Sequence, residues 1–438
     1  MLNVGIVGMG YVGLTLSIAA AKAGHKIYGV EKNELILNSL NEGIPHFYEK
    51  GIQESLNNVI NNNLFINDRF QNGIDFDCFV ITVGTPLHDE SKKPDIKYIY
   101  QALDGISDFY SGKELVILRS TVSVGVTRNY VINYLSKLAN IEEDDVLVSF
   151  CPERTVEGDA LNELEKLPQI IGSNNEEAFK ITENFFRVIT STILRVESLE
   201  AAELVKLFNN TYRDIHFSIG NYFNEIAQSF GINGMDLIKA ANYQYQRSNI
   251  ASPGFVGGPC LEKDSYILVD NLKDSKGRDF VLGARRYNES MEDVLIEWLR
   301  HQIKKNNISK IGFTGLAFKG NPDNSDLRGS SAINIVNKLK KIDFKEIELS
   351  LHDFVVPKNE LEAYGKSYDD IFKLANESEI VIILNNNYRY KSLHIDDLVK
   401  SMRKPNLILD CWACLDIMDK SKYPNILTLG DIYLSNEN

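Results

Sequence analysis

Short apolar runs alternate with stretches of helical period along most of this chain. Asn3-Val-Gly-Ile-Val-Gly8 predicts a buried strand, Tyr11 to Ala23 a helix stopping at Gly24, and Lys26-Ile-Tyr-Gly-Val30 a second strand. Strand, helix and strand in this short compass make a βαβ unit with parallel strands. Further strands are expected at Cys78–Val83, Leu115–Leu118, Val146–Ser149 and near Gln169–Ile171, with a helix through Glu176–Phe186. They close a first domain over residues 1–196. From Glu200 to Phe230 the apolar positions (Leu204, Leu207, Phe208, Ile215, Ile219, Phe223, Ile226) recur at helical spacing, which predicts one long helix. A second helical region at Asp279–Lys304 completes a central domain over 197–305. The alternation restarts in 306–438, with strands at Lys310–Gly315, Ile347–Leu351, Ile380–Leu384 and Leu407–Asp410. The expected class is α/β: two doubly wound domains joined by a long central helix. Asn57–Asn63 reads as an asparagine-rich surface turn.

Composition narrows the function classes. At 438 residues the chain exceeds what one hydrophobic core serves. A net charge of −13 with no long basic run argues against nucleic acid as the main partner. A local Arg and Lys cluster can still take a small anion. The first 21 residues lack charge, but they have no basic start and are broken by Gly5, Gly8, Gly10 and Gly13, unlike a signal peptide. Nothing approaches the ~20 apolar residues of a membrane span, so no membrane partner is expected and the reading is cytoplasmic. Five scattered cysteines suit free thiols in a reducing compartment. Cys411-Trp-Ala-Cys414 has CxxC spacing without a second Cys/His pair nearby, so a packed pair is expected rather than a zinc or redox centre. No metal is expected.

Two motifs carry chemistry. Gly8-Met9-Gly10-Tyr11-Val12-Gly13 follows the first strand and opens the first helix, where glycines permit a tight turn and close approach of a pyrophosphate. Glu31 ends the second strand, placed to accept hydrogen bonds from a ribose. Its charge disfavours a 2′-phosphate, so NAD is expected over NADP, with the neighbouring Lys32 weakening the preference slightly. The second motif is Ser252-Pro-Gly-Phe255-Val-Gly257-Gly-Pro-Cys260-Leu-Glu-Lys263-Asp264. A cation near a thiol favours the thiolate, and a thiolate can hold a carbonyl substrate covalently. A buried inert cysteine in a Gly-rich loop is the alternative.

These residues carry a family resemblance. The chain resembles the nucleotide-sugar 6-dehydrogenases, comprising the UDP-glucose, UDP-N-acetylhexosamine and GDP-mannose enzymes. The match runs through ordered blocks: Gly8–Gly13; Thr85-Pro86; Ser120-Thr121-Val122; Cys151-Pro-Glu153-Arg154-Thr-Val-Glu157-Gly158; Glu203-Leu-Val-Lys206 through Asn210; Gly257-Gly258-Pro-Cys260 with Asp264; and Ala317-Phe-Lys319 through Asp326-Leu-Arg328. The resemblance implies two Rossmann-like domains and a four-electron oxidation of the sugar C6 alcohol to a carboxylate, using two NAD. It implies that Cys260 captures the intermediate aldehyde as a thiohemiacetal, which is oxidised to a thioester and hydrolysed. Lys206 and Asn210 would stabilise charge on the reacting oxygen, Asp264 and Thr121 would hold the water, and Glu157 would serve as base. Thr85, Lys263 and Arg328 are expected beside the cofactor. Glu153, Arg154, Arg213, Arg247, Asn249, Phe255, Gly257 and Lys319 are expected beside the UDP-sugar, and a homodimer is implied, as is uronic acid supply to polysaccharide biosynthesis.

The sugar is less sharply indicated. Asn210-Thr-Tyr-Arg213-Asp214 and Arg247-Ser-Asn249 look like the UDP-N-acetylhexosamine enzymes (N-acetylmannosamine or N-acetylglucosamine), whereas Cys260-Leu-Glu-Lys263-Asp264 looks like the UDP-glucose type. UDP-glucose is therefore the second expectation, ahead of GDP-mannose. Two readings from other classes remain: a non-catalytic dinucleotide-sensing scaffold, and a two-electron hydroxyacid dehydrogenase, which needs neither a reactive cysteine nor the last lobe.

Overall fold

The computed structural model describes residues 1–272, 275–342 and 347–432. Positions 273–274 of the expected central domain, and 343–346 and 433–438 of the expected third, lie outside the described residues. The chain divides into two compact units, Met1–Asn210 with Tyr266–Lys273, and Thr211–Ser265 with Asp274–Asn438.

The first unit holds an eight-stranded sheet: β1 (Asn3–Val7), β2 (Lys26–Val30), β3 (Leu64–Asn67), β4 (Cys78–Ile81), β5 (Leu115–Leu118), β6 (Val148–Phe150), β7 (Gln169–Ser173) and β8 (Ile193–Arg195). Their order is β3-β2-β1-β4-β5-β6-β7-β8. β1 to β6 pair in parallel, β7 runs antiparallel to β6, and β8 is parallel to β7. β4 and β5 are buried at every position, as expected of strands covered by helices on both faces. The order reverses between β1 and β4, which places a ligand-binding crevice at the end of β1.

The second unit holds β9 (Lys310–Thr314), β10 (Glu348–His352), β11 (Lys366–Ser367), β12 (Ile380–Ile383), β13 (Leu407–Asp410) and β14 (Ile426–Thr428), all parallel, in the order β11-β10-β9-β12-β13-β14. Two helices of 31 residues, Leu199–Ser229 and Lys276–Asn306, are the longest described. Among the described residues no helix is long and apolar enough to cross a membrane.

Most expected elements stand within a residue or two of their places. Asn57 and Asn58 are a difference: they lie inside a helix, Ile52–Val59, whose buried Ile52, Leu56 and Val59 fix it to the sheet, and only Asn61–Asn63 form the turn. The β6 strand starts at Val148 rather than Val146, and Thr121 lies three residues beyond the end of β5.

Candidate active site

At the end of β1 the chain turns through Gly8, with φ of +94°, into the helix Tyr11–Lys22. A Cβ on Gly13 would stand 1.8 Å from the Gly8 carbonyl oxygen, so only glycine closes this turn against the helix. At Gly10, the helix N-cap, a Cβ would meet no atom within 4 Å, and no side chain caps the helix. The first-turn N–H groups are thus reachable by a pyrophosphate, which the helix dipole favours. The half-buried Glu31 accepts from the Met9 N–H (3.0 Å) and the Asn33 N–H (2.8 Å), one on each oxygen. A carboxylate has further lone pairs for ribose hydroxyls. Lys32 is exposed beside it. Turn, free helix end and fixed acid together fit a dinucleotide.

Tyr11 links this turn to another predicted segment. Its hydroxyl bonds the buried Glu49 and accepts from the Gly158 N–H at 3.1 Å, while Gly158 also donates to Glu49 at 2.7 Å. Burial, then the Glu49 charge, push the Tyr11 phenol far above its ordinary range, with Glu157 adding to the effect. Burial likewise raises the Glu49 carboxyl. Glu157, next to Gly158, is therefore anchored by its neighbour to the opening helix. Glu49 had no motif to reveal it.

Beyond β5, the Thr121 carbonyl accepts from the buried Thr85 hydroxyl at 2.6 Å, so the two predicted threonines are coupled. The same loop is tied to the helix Leu199–Ser229 by Glu203, which accepts from the N–H groups of Gly125 (2.6 Å) and Thr127 (2.9 Å). One helical turn on from Glu203, Lys206 is 7% exposed, and its Nζ donates to the Glu153 carbonyl at 2.5 Å with the Glu153 carboxylate at 3.5 Å. Burial pushes the Glu153 carboxyl up, but the Lys206 ammonium, the Arg119 guanidinium and the Thr155 donors outweigh it and hold it below its ordinary value. Glu153 is thus an ionised carboxylate at Lys206. Glu153, one of the two predicted carboxylates in this segment, makes an ion pair to Lys206. Asn210, one turn beyond Lys206, is also 7% exposed. Arg154 donates to the Pro168 carbonyl, and burial lowers its affinity for its proton. Buried Arg119, which the sequence reading passed over, bonds the Cys151 carbonyl (3.2 Å) and Gln169 (2.9 Å) behind Glu153.

The second unit carries the cysteine. Cys260 is half-buried and reduced, directly before the helix Leu261–Val269. Lys263 lies 3.3 Å from the fully buried Asp264. The loop ahead of Cys260 is pressed against the loop after β9: the Gly258 N–H donates to the Gly329 carbonyl at 2.7 Å, and a Cβ on Gly258 would run into the Phe318 ring at 2.4 Å. This contact brings Phe255, Gly257, Cys260, Lys319 and Arg328 into one neighbourhood. Lys319 sits over the Phe318 ring, 5.5 Å from its centroid. Exposed Arg328 is held by Asp326 at 2.6 Å. Arg213, Arg247 and Asn249 are exposed. Arg247 stacks on Tyr245, and the Asn249 carbonyl meets His216. Cys411 is buried, Cys414 half-buried and neither is bonded to sulfur; burial pushes both thiols well up. Trp412 between them packs on Gly254 of the cysteine loop.

Residues 2–190 match the NAD binding domain of the UDP-glucose/GDP-mannose dehydrogenase family, 200–290 its central domain, and 312–417 its UDP binding domain. The UDP-N-acetyl-D-mannosamine dehydrogenase of Methanocaldococcus jannaschii is 30% identical over 436 residues, 97% of this chain and 96% of that protein. The solved UDP-D-ManNAc dehydrogenase from Pyrococcus horikoshii is 28% identical with a TM-score of 0.85, covering 98% of this chain and 99% of that one. The UDP-N-acetyl-mannosamine dehydrogenase Cap5O from Staphylococcus aureus is 26% identical, also with a TM-score of 0.85, over 99% of both chains. With all three domain models met in order and its glycine turn, Glu31 and cysteine loop in place, the chain belongs to the UDP-glucose/GDP-mannose dehydrogenase family and is an NAD-dependent nucleotide-sugar dehydrogenase.

Proposed function

We propose that the enzyme oxidises the C6 hydroxyl of a UDP-N-acetylhexosamine, with UDP-N-acetylmannosamine as first candidate, to the uronate through a thioester on Cys260. The observation that carries this reading is the cysteine loop itself: an accessible thiol on a glycine turn packed against the loop that bears Lys319. The sugar is favoured by the relatives from M. jannaschii, P. horikoshii and S. aureus, all named for UDP-N-acetylmannosamine.

In this reading NAD accepts a hydride at each of the two oxidations. The Cys260 sulfur adds to the C6 aldehyde, with a proton going to the former carbonyl oxygen. Loss of hydride and that proton leaves a thioester, and water then releases carboxylate and thiol. A bare aldehyde cannot give up hydride to form an acid, whereas its tetrahedral adduct can. Lys206 and Asn210 stabilise charge on the reacting oxygen. Asp264 and Thr121 hold the water, and Glu157 takes its proton, while Glu153 fixes the Lys206 ammonium. Tyr11, Val12, Glu31, Lys32, Thr85, Lys263 and Arg328 serve the cofactor. Arg154, Arg213, Arg247, Asn249, Phe255, Gly257 and Lys319 serve the UDP-sugar.

Residues 1–196 act as the NAD domain, 197–305 as the segment carrying the thiol, and 306–438 as the UDP domain. A homodimer is supported by the helix Leu199–Ser229, which exposes Tyr212, Ile219, Tyr222, Phe223, Ile226 and Phe230 along one face. Free thiols support a cytoplasmic setting.

The test is NADH absorbance with UDP-N-acetylmannosamine, UDP-N-acetylglucosamine, UDP-glucose and GDP-mannose, read alongside uronate. UDP-N-acetylmannosamine should turn over fastest with two NADH per uronate, and Cys260→Ala should make no uronate while still binding NAD. A yield of one NADH per substrate, or normal turnover in Cys260→Ala, sinks the covalent route.

A further inference from the structure

The helix Leu199–Ser229 is polar on its buried side. Asp214, Ser218, Asn221, Asn224 and Gln228 are all less than 9% exposed, and Asp214 is fully buried. Facing Asp214 on the helix Lys276–Asn306 is Arg285, 1% exposed. Its Nη1 donates to Asp214 Oδ1 at 2.8 Å and to the Leu261 carbonyl at 3.1 Å, and its Nη2 donates to the Val256 carbonyl at 3.0 Å. The other Asp214 oxygen accepts from the Ser265 hydroxyl at 2.8 Å. Asn288 Nδ2 donates to Asp214 Oδ1 and to the Asp214 carbonyl, both at 2.8 Å, and its own oxygen accepts from Asn221 at 3.0 Å. Asn221 then grips Gly254 in both directions, accepting from its N–H at 2.8 Å and donating to its carbonyl at 3.0 Å.

A buried ion pair of this kind is poor evidence for stability, because apolar side chains of similar volume often do as well. What it offers is geometry. A guanidinium is a rigid planar fork, and here its tips hold the two carbonyls, Val256 and Leu261, that bracket Cys260. With Gly254 fixed by Asn221 and Ser265 fixed by Asp214, the loop is pinned on both sides of the thiol by side chains that are themselves buried. We propose that Asp214 and Arg285, extended by Asn288 and Asn221, form a positioning cluster that sets where the Cys260 sulfur stands for aldehyde capture. The inference rests on the reading of Cys260 as the nucleophile.

A thiol held loosely fails first at capture, since a misplacement near 1 Å costs about 100-fold in rate. The first oxidation does not use the sulfur, so an uncaptured aldehyde can leave. The experiment compares the unsubstituted enzyme, Arg285→Lys, Asn221→Ala and Cys260→Ala. Each is given whichever of the four sugar nucleotides the unsubstituted enzyme oxidises fastest, with semicarbazide present as an aldehyde trap. The unsubstituted enzyme should give two NADH per uronate and no semicarbazone. Arg285→Lys should form uronate about 100-fold more slowly, give more than two NADH per uronate and accumulate semicarbazone, with NAD affinity retained. Asn221→Ala should show the same leak, about 10-fold in rate, because only one end of the loop is freed. If Arg285→Lys does not fold, Asn221→Ala decides by the same two readouts. A slower or less stable variant that still yields two NADH per uronate with no trapped aldehyde overturns the proposal and leaves the cluster a purely structural role. Cys260→Ala separates the two levels. If it makes uronate normally, the covalent reading fails; if it makes none while Arg285→Lys keeps the ratio of two, only the positioning role fails.

Discussion

In the first sheet the residue after β2 is Glu31; in the second, the residue after β10 is Asp353. The sheets share one strand order over six strands, and both acids stand beside the turn that leaves the first strand. Glu31 takes one N–H on each oxygen and is half-buried, so capacity remains for a ribose. Asp353 is 9% exposed and accepts four: Leu316 (2.7 Å) and Ala317 (3.1 Å) on one oxygen, Val355 (2.7 Å) and Val356 (3.1 Å) on the other. Burial raises its carboxyl despite these donors. The helix after the turn begins at Tyr11 in the first sheet but only at Ser331 in the second, leaving a long loop for Lys319 and Arg328. One topology thus holds an acid with spare acceptor capacity beside an open glycine turn in one place, and a cationic loop braced by an internal acid in the other.

That contrast can be broken most forcefully at Asp353. Asp353→Ala should leave four N–H groups without an acceptor, three of them buried, and cost about 4 kcal/mol in urea unfolding, with NAD affinity unchanged; a mild loss of stability would mean the brace is dispensable. The second sheet also buries a titratable side chain where the first has Val30. His352, at the end of β10, bonds the Thr314 hydroxyl at 2.8 Å, and burial lowers its pKa to about 4. Because the folded value lies below the unfolded one, this contribution is full above pH 6.5 and is lost as pH falls from there towards 4. The loss should approach about 3 kcal/mol, and His352→Gln should flatten it in thermal melts across that window. The smallest effect belongs to Glu31→Ala. NAD affinity should fall about 10-fold, near 1.4 kcal/mol, NADP affinity should fall less, and stability should stay put; an unchanged NAD to NADP ratio would take the ribose role away from Glu31.

Glu31 was legible because a glycine fingerprint precedes it at a fixed distance. Asp353 follows no such signal and was missed. The strands β3, β8, β11 and β14 also escaped, being two to four residues long with mixed exposure. Periodicity found the long helix at Glu200–Phe230 but pointed away from its buried side. Of the seven residues that announce it, Phe208, Ile219, Phe223 and Ile226 are exposed and Leu207 is fully buried, whereas Asp214, Asn221 and Gln228 face inward. A pattern reading assumes apolar residues go inside, and from Asp214 onward this helix largely inverts the rule. Arg285 lies 71 residues from Asp214, so no local spacing could pair them. The motif residues Gly8, Gly10, Gly13 and Cys260 were visible because each stands in a short local pattern of the chain.

Trp412 packs against Gly254, and the chain has just one other indole, the fully buried Trp298. The Trp412 Nε1–H is fixed to the Leu384 carbonyl at 2.8 Å. The ultraviolet emission of this protein therefore contains a native reporter seated on the thiol-bearing segment, so quenching or a spectral shift on ligand addition can be followed in real time without attaching a dye.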